Sequence, residues 1–457
     1  MHHGYLAHVM KVFEEVGYEV IASTRPPPRW DVLWSHDYPF SASFNLPQLS
    51  PLQKVNHFPG SGFITNKLNL ATSGLKYVPK AFNLPREAEG FLQYAREHPA
   101  KMWVQKDNNH RGIRVVSTEQ IDLAQTGTFV QEYIDRPLLI DGKKFDIGLY
   151  VTMTSLNPLR VYVYDNDALL RFCAEPYPVP SFNASLLDGY VVGDRYTPVW
   201  LMPSLAPYFV GQQLNSKHSL NAYITAVLGK DPALVWSQME ESIRTIYQMM
   251  EGKMGQLAEM YPHKSTNFFE MVRFDFTLDA DLQVYLMEAN MSPNMASAKY
   301  PPNREIYEPV LYSLLSLTGL TRLPGQTRAR DWDRMPSGAT RWDMLLLERD
   351  LSVLPEICSS AKCHTGNLTG EDGGLLLDSA CSTVDECDIC SHCLSGPLKA
   401  VLKASYLEEL SRWHNRRLLP STSIEPPPSD LVAPTISNYL LEKWFIGKCL
   451  LDGRWCN

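Results

Sequence analysis

No stretch of this 457-residue chain is apolar for long enough to cross a bilayer, which takes about 20 consecutive apolar residues. Nor does its start carry a signal-peptide pattern. Basic residues are in deficit: 42 Lys plus Arg stand against 50 Asp plus Glu, a formal charge of −8. That balance argues against nucleic-acid binding as the main activity. Cysteine is scarce outside one window, since only three of the nine lie beyond Cys358–Cys393. What is present is a 44% hydrophobic composition, enough at this length for the cores of two or three domains. The opening HHGYLAHVMKVFEEVGYEV reads as a helix then a strand from the first residues. The recorded start is therefore expected to lie inside a longer chain, and a missing leader or anchor weighs little.

The most informative stretch is Met271 to Asn294, which reads as two strands joined by a tight turn at Asp279-Ala280-Asp281. Val272, Phe274, Phe276 and Leu278 alternate with Met271, Arg273, Asp275 and Thr277, so Asp275 points away from the apolar face. Glu288 and Asn290, two apart on the second strand, share a face. Antiparallel pairing brings Asp275 across from them. Two carboxylates and an amide oxygen suit Mg²⁺, which takes few protein oxygens and fills its other positions with water and phosphates. The alternative is a polar, solvated strand end.

The order Asp275…Glu288-x-Asn290-x-Ser292-Pro293 resembles the metal-binding signature of the tubulin–tyrosine ligase-like family. Val130-Gln131-Glu132-Tyr133-Ile134, Lys144-Phe145-Asp146-Ile147 and Leu170-Arg171-Phe172-x-x-Glu175-Pro176-Tyr177 follow the family order upstream. The similarity runs over roughly residues 50 to 320 and is absent after about 345. It implies an α/β (α+β) ATP-grasp fold. The expected division is an N-terminal α/β domain (1–75), a central lobe (76–140) and a C-terminal lobe (141–345). A Cys-rich helical extension (346–415) and a linker and tail (416–457) complete it.

Resemblance also distributes roles. Lys106, ending a strand from Met102, matches the lysine that reaches the ATP phosphates, a point charge suited to the task. Arg111 and Gly112 remain from a phosphate-covering loop that is shorter here and keeps one glycine. The backbone of Gln131, Glu132, Tyr133 and Ile134 is expected to bond the adenine edge, Lys144 to face adenine and Asp146 the ribose. Lys67, on a probable helix after the turn-rich Val55–Gly62, stands near a family lysine that approaches the nucleotide; otherwise it is an exposed helix charge. His57 reads as a hydrogen-bonder within that turn.

Two departures stand out. The family carries an arginine directly after the Ile147 equivalent, where this chain has Gly148. That arginine helps hold the transferring phosphate, a place where a planar bidentate donor is hard to replace. Arg171, the second arginine of the group, is kept, and Arg160 lies nearby in sequence. After Tyr177 the family's His-Leu-Thr-Asn segment is missing. This chain reads Phe182-Asn183-Ala184-Ser185 and then Tyr190 to Tyr196.

The function so implied is an ATP- and Mg²⁺-dependent protein–amino acid ligase acting through an acyl phosphate, most like the tubulin polyglutamylases. Asp275, Glu288 and Asn290 are the metal ligands, and Lys106 and Arg171 the catalytic cations. Glutamate would be joined to tubulin or another acidic tail, in the cytoplasm near microtubules or cilia. Gly148 and the altered segment motivate the alternative, an ATP-binding pseudo-ligase that acts by binding. Charge gives an acidic partner no independent support: Lys101 to Glu175 holds nine Lys plus Arg against ten Asp plus Glu.

Helices are expected over Leu214–Leu228, Trp236–Met260, Arg304–Leu317 and near Lys399–Asn415. In the extension, Cys358, Cys363, Cys381, Cys387, Cys390 and Cys393 fall within 36 residues. Cys387-x-x-Cys390-x-x-Cys393 with His364 and His392 suits zinc, while six cysteines also suit three disulfides. The sequons Asn183-Ala-Ser and Asn367-Leu-Thr tilt toward disulfides and a secretory lumen. The Pro/Ser-rich run 420–436 reads as linker or disordered tail.

Overall fold

The computed structural model describes residues 4–456, apart from 25, 41–45, 47–48, 51–52, 108–112, 179–185, 262–264, 322–350, 361–362, 364–380, 382–385 and 423–434. It is a mixed helix-and-sheet structure. Strands β1 (Val32–Leu33) and β2 (Lys54–Val55) pair in parallel. Strands β3 (Ala81–Leu84), β4 (Trp103–Asp107), β5 (Arg114–Val116) and β6 (Thr128–Glu132) form an antiparallel sheet in the order β3-β6-β4-β5. Its covering helix Ala88–Glu97 lays Phe91 and Ala95 against Phe82, Trp103 and Val130. That is the one-sided apolar face an amphipathic helix buries on a sheet.

The larger sheet has seven strands: β7 (Phe145–Leu156), β8 (Leu159–Tyr164), β9 (Leu169–Cys173), β10 (Tyr196–Pro198), β11 (Glu270–Leu278), β12 (Val284–Asn290) and β13 (Asn415–Leu419). β7 is its spine. One edge pairs β9 over Phe145–Gly148 and β8 from Val151 to Leu156, and the other pairs β11. Every β7 residue except Asp146 is buried. The strand reads as one apolar run because helices cover both faces. On one side Ile147, Leu149, Phe274 and Phe276 meet Met239, Ile243, Ile246 and Met250 of the helix Ala233–Glu259. On the other, Tyr150 and Met271 meet Val310, Leu311 and Leu314 of the helix Arg304–Leu317.

Several expectations change. All nine residues of β11 are buried, so the face carrying Arg273, Asp275 and Thr277 is polar but covered, not solvated. The first helix is Ala7–Glu15, whose Val9, Val12 and Phe13 pack against the helix Arg304–Leu317, and residues 16–24, where the sequence predicts a strand, form none. Residues assigned to linker and tail form β13 and the helix Ile436–Leu451. β13 pairs β8, so the extension supplies an edge strand of the main sheet. Most of the Pro/Ser-rich run 420–436 lies outside the described residues. His57 is fully buried and bonds Glu270 (3.1 Å) and the Ser35 carbonyl (2.9 Å), the hydrogen-bonding role expected of it.

The six clustered cysteines pair as Cys358–Cys390, Cys363–Cys387 and Cys381–Cys393, and Cys449 pairs Cys456. Cys381, His392 and Cys393 lie close enough to share an ion, yet the two sulfurs are bonded to each other. His364 and both sequons lie outside the described residues.

Candidate functional site

One face of the seven-stranded sheet gathers Asp146, Arg171, Asp275, Glu288 and Asn290 of the predicted residues, and strand register does the gathering. Gly148 on β7 sits beside Asp275 on β11, which sits opposite Glu288 on β12. Two residues along, Tyr150, Arg273 and Asn290 line up in the same way. Asp146 pairs Arg171 on β9. Directly paired and i, i+2 residues share a face, so Asp146, Arg171, Arg273, Asp275, Glu288 and Asn290 all project to one side. A bulge between Asp275 and Phe276 places Met287 as the extra residue on β12, and it keeps Glu288 opposite Asp275.

Charges pair tightly on this face. Arg171 donates Nε and Nη2 to the two Asp146 oxygens (2.9 and 2.7 Å), and Nη2 also to Asp275 Oδ2 (3.1 Å). Arg273 donates Nε and Nη2 to Asp275 Oδ1 and Oδ2 (2.7 and 2.9 Å). Asn290 adds its amide nitrogen to Asp275 Oδ2 at 2.9 Å. Asp275 therefore accepts four hydrogen bonds, two of them a fork–fork pair of the strong, directional kind. Burial pushes its carboxyl up, but Arg273 and Arg171 together hold it below the ordinary range, so it stays ionised. Asp146 goes the other way: burial outweighs Arg171 and raises it to about 6.

Gly148 now has a physical reading. A Cβ at this position would come within 2.9 Å of Arg273 Cδ and 3.1 Å of Asp275 Oδ1. The missing side chain is the space across which Arg273 lies. Arg160, near in sequence, is elsewhere: its guanidinium pairs with Glu408 of the extension (2.9 and 3.0 Å). Sequence reasoning missed Arg273, although its i, i+2 spacing from Asp275 on one strand was the available signal.

Three lysines border this array: Lys106 on β4, Lys144 directly before β7, and Lys67. Lys106 donates Nζ to the Gln131 side-chain oxygen at 3.0 Å. Lys144 lies 4.6 Å from the centroid of the Tyr133 ring. Lys67, at the start of the helix Lys67–Ala71 capped by Asn66, pairs with Glu288 at 3.1 Å. Desolvation lowers both Lys106 and Lys144 to about 8. Of the backbone expected to bond adenine, the N–H of Glu132 is taken by the Lys80 carbonyl and that of Tyr133 by Met102 (2.8 and 2.9 Å). Among the described residues, Ile134 is left with the uncommitted N–H of that turn. The Glu132 side chain is turned outward to Tyr94 (2.9 Å) and Lys101 (3.3 Å). Arg111 and Gly112 lie outside the described residues. Beyond Tyr177 the chain folds back, with Tyr190 against Tyr133 and Tyr177 (ring centroids 5.9 and 5.4 Å).

The profile of the tubulin-tyrosine ligase family matches residues 46–330, more than half the chain and all of this site. The chain belongs to the tubulin-tyrosine ligase family. It is 38% identical over its whole length to a probable tubulin polyglutamylase, ttll-15, of Caenorhabditis elegans, and covers 84% of that protein. It is 28% identical to tubulin polyglutamylase TTLL6 of Mus musculus over 64% of this chain, and 27% identical to tubulin monoglutamylase TTLL4 of Homo sapiens. It spans only 37% and 25% of those two proteins. The full-length match includes the extension, which the family profile does not reach.

The depressed lysines make a test of nucleotide binding. In the free protein Lys106 loses its proton near pH 8. A phosphate beside it favours the charged form and raises that value. If ATP binds with a phosphate beside Lys106, binding at pH 8 takes up protons and affinity falls between pH 7 and pH 9. Titration calorimetry in buffers of different ionisation enthalpy reads this directly; a binding heat independent of buffer would contradict it. For stability the sign is opposite. The penalty of holding these lysines charged is present below about pH 8 and is relieved as pH rises toward 10.5.

Proposed function

We propose that the chain is an ATP-dependent ligase that joins glutamate to the side-chain carboxylate of an acidic protein segment, and that the two larger sheets are the gripping lobes of an ATP-grasp fold. The observation that carries this is the array itself: Arg171, Arg273, Asp275, Glu288 and Asn290 on one sheet face, with Lys106 close to Glu288 and Lys144 two residues before Asp146. In the reaction, an acceptor carboxylate oxygen attacks the γ-phosphorus and ADP departs. The amine of glutamate then attacks the acyl carbon, and phosphate leaves as the amide forms. Such chemistry needs positioned cations and no protein nucleophile.

The donor set fits Mg²⁺ in part. Glu288 is a half-buried carboxylate held, among the described residues, by Lys67, and Asn290, pinned through its nitrogen, keeps its amide oxygen for another partner. Asp275 is already saturated by donors, so Glu288 and Asn290 would be the principal ligands. Bound Mg²⁺ neutralises phosphate oxygens. The chain's own residues do the rest. Lys106 faces the phosphates, Lys144 and the Ile134 N–H hold the base, and Asp146 fixes the Arg171 fork. Arg273 fills the space at Gly148 and gives this face a second guanidinium.

The deciding experiment incubates purified protein with ATP, Mg²⁺, labelled glutamate and tubulin, the acceptor in the relatives' names. Label in protein together with stoichiometric ADP supports the ligase. The pseudo-ligase reading is favoured by one observation, the saturation of Asp275 by arginines. It predicts ATP binding without ADP release. Under either reading Lys144→Ala is expected to weaken ATP about ten- to a hundredfold, the worth of a charged hydrogen bond, as read by calorimetry with a non-hydrolysable analogue. Absence of binding heat at millimolar nucleotide would remove both.

A further inference from the structure

The disulfides bear on where this site works, and so on what it modifies. Eight of the nine cysteines are paired. The ninth, Cys173, is buried on β9, and burial pushes its thiol up to about 12, which keeps it out of thiolate exchange. The bridges are structural in their placement. Cys363, Cys387 and Cys390 are themselves the buried centre of their segment, with Ile357, Cys358 and Cys393 packed around them. Reduced, that segment loses the cross-links at its buried centre, the kind of support on which small secreted domains rely. Cys449–Cys456 closes the end of the helix Ile436–Leu451, whose Leu441, Trp444 and Phe445 pack with Val353, Ile389 and Leu402.

The extension is also bonded into the catalytic sheet. Glu408 receives Arg160, Thr154 and Tyr162 from β7 and β8. β13 is hydrogen-bonded to β8, which pairs β7, the strand that carries Asp146 and Gly148. The site's sheet is thus hydrogen-bonded to the extension that carries the disulfides. Cytosolic thiol systems keep such cysteines reduced, whereas the secretory lumen and the extracellular space keep them paired.

We infer that this chain works in an oxidising compartment, and that its acceptor is a glutamate-rich segment of a lumenal or secreted protein, not of cytoplasmic tubulin. The acceptor half of this inference rests on the ligase reading above; the compartment half does not. The test uses the full-length protein, tagged at its own locus. Sealed membranes are treated with protease, and native protein is alkylated before mapping by non-reducing mass spectrometry. The expected result is protection until detergent is added, with all eight paired cysteines unmodified. The sequons Asn183-Ala-Ser and Asn367-Leu-Thr provide a second readout: a glycosidase-sensitive mass shift, lost in Asn183→Gln/Asn367→Gln. Digestion in sealed membranes, or a free thiol at any of the six clustered cysteines, overturns the inference. The acceptor is then sought as protease-protected, polyglutamate-reactive protein that disappears in Glu288→Gln cells. A protected enzyme with only cytoplasmic tubulin responding would overturn the acceptor assignment. A protected enzyme with no responding protein anywhere would count against the ligase reading and leave the compartment standing.

Discussion

Glu288→Gln is expected to lower ATP turnover by about 10²–10³, the usual worth of a lost electrostatic contact to a transferring group, while leaving stability unchanged. The side chain is 31% exposed, lies near the open end of the hairpin and, among the described residues, pairs with Lys67 at 3.1 Å. An amide in its place keeps the shape and an oxygen for Lys67, and removes the charge that a divalent cation needs. ADP release at saturating Mg²⁺ measures the first part, and a urea melt the second. Normal turnover in this variant would take the hairpin out of metal binding.

Asp275→Ala should behave in the opposite way. Its carboxylate is 5% exposed and neutralises Arg273, itself 7% exposed, while also steadying Arg171. Removing it leaves a buried guanidinium without a counter-charge, a change that costs about 3–5 kcal/mol. The urea midpoint should fall accordingly with little change in slope. Asp275→Ala/Arg273→Leu should recover most of that loss, because an apolar replacement of both partners of a buried pair is often neutral. A single variant that melts with the wild type would show that the Arg273–Asp275 pair does not hold this face together. The two carboxylates differ in setting: Glu288 is half-buried beside Lys67, whereas Asp275 is buried and holds Arg273 and Arg171 in place.

Local pattern settled a good deal. Period-two alternation marked β11 and β12, and the acidic turn between them lies where Asp279 to Asp281 stand. Period-3.6 apolar spacing marked the helices Ala233–Glu259 and Arg304–Leu317, whose cores depend on neighbours a turn away. Spaced motifs in one order pointed to the family that the profile then showed. Each of these signals is short-range along the chain, which is why one sequence can carry it.

What the tertiary structure alone decided is which charge meets which. Arg171 and Arg160 are eleven positions apart and look interchangeable in sequence, yet one meets Asp146 and the other Glu408. The choice depends on β9 and β8 sharing one edge of β7, a long-range register that no local spacing encodes. Gly148 reads in sequence as a lost arginine. Only the neighbouring strand shows that its empty face is where Arg273 lies. The cysteine spacing admitted zinc or disulfides, and the difference rests on how six sulfurs are brought together in space. Composition and period fix which residues are polar or buried. Distances between residues a hundred positions apart are set by the packed sheet, and those distances determine the site's chemistry.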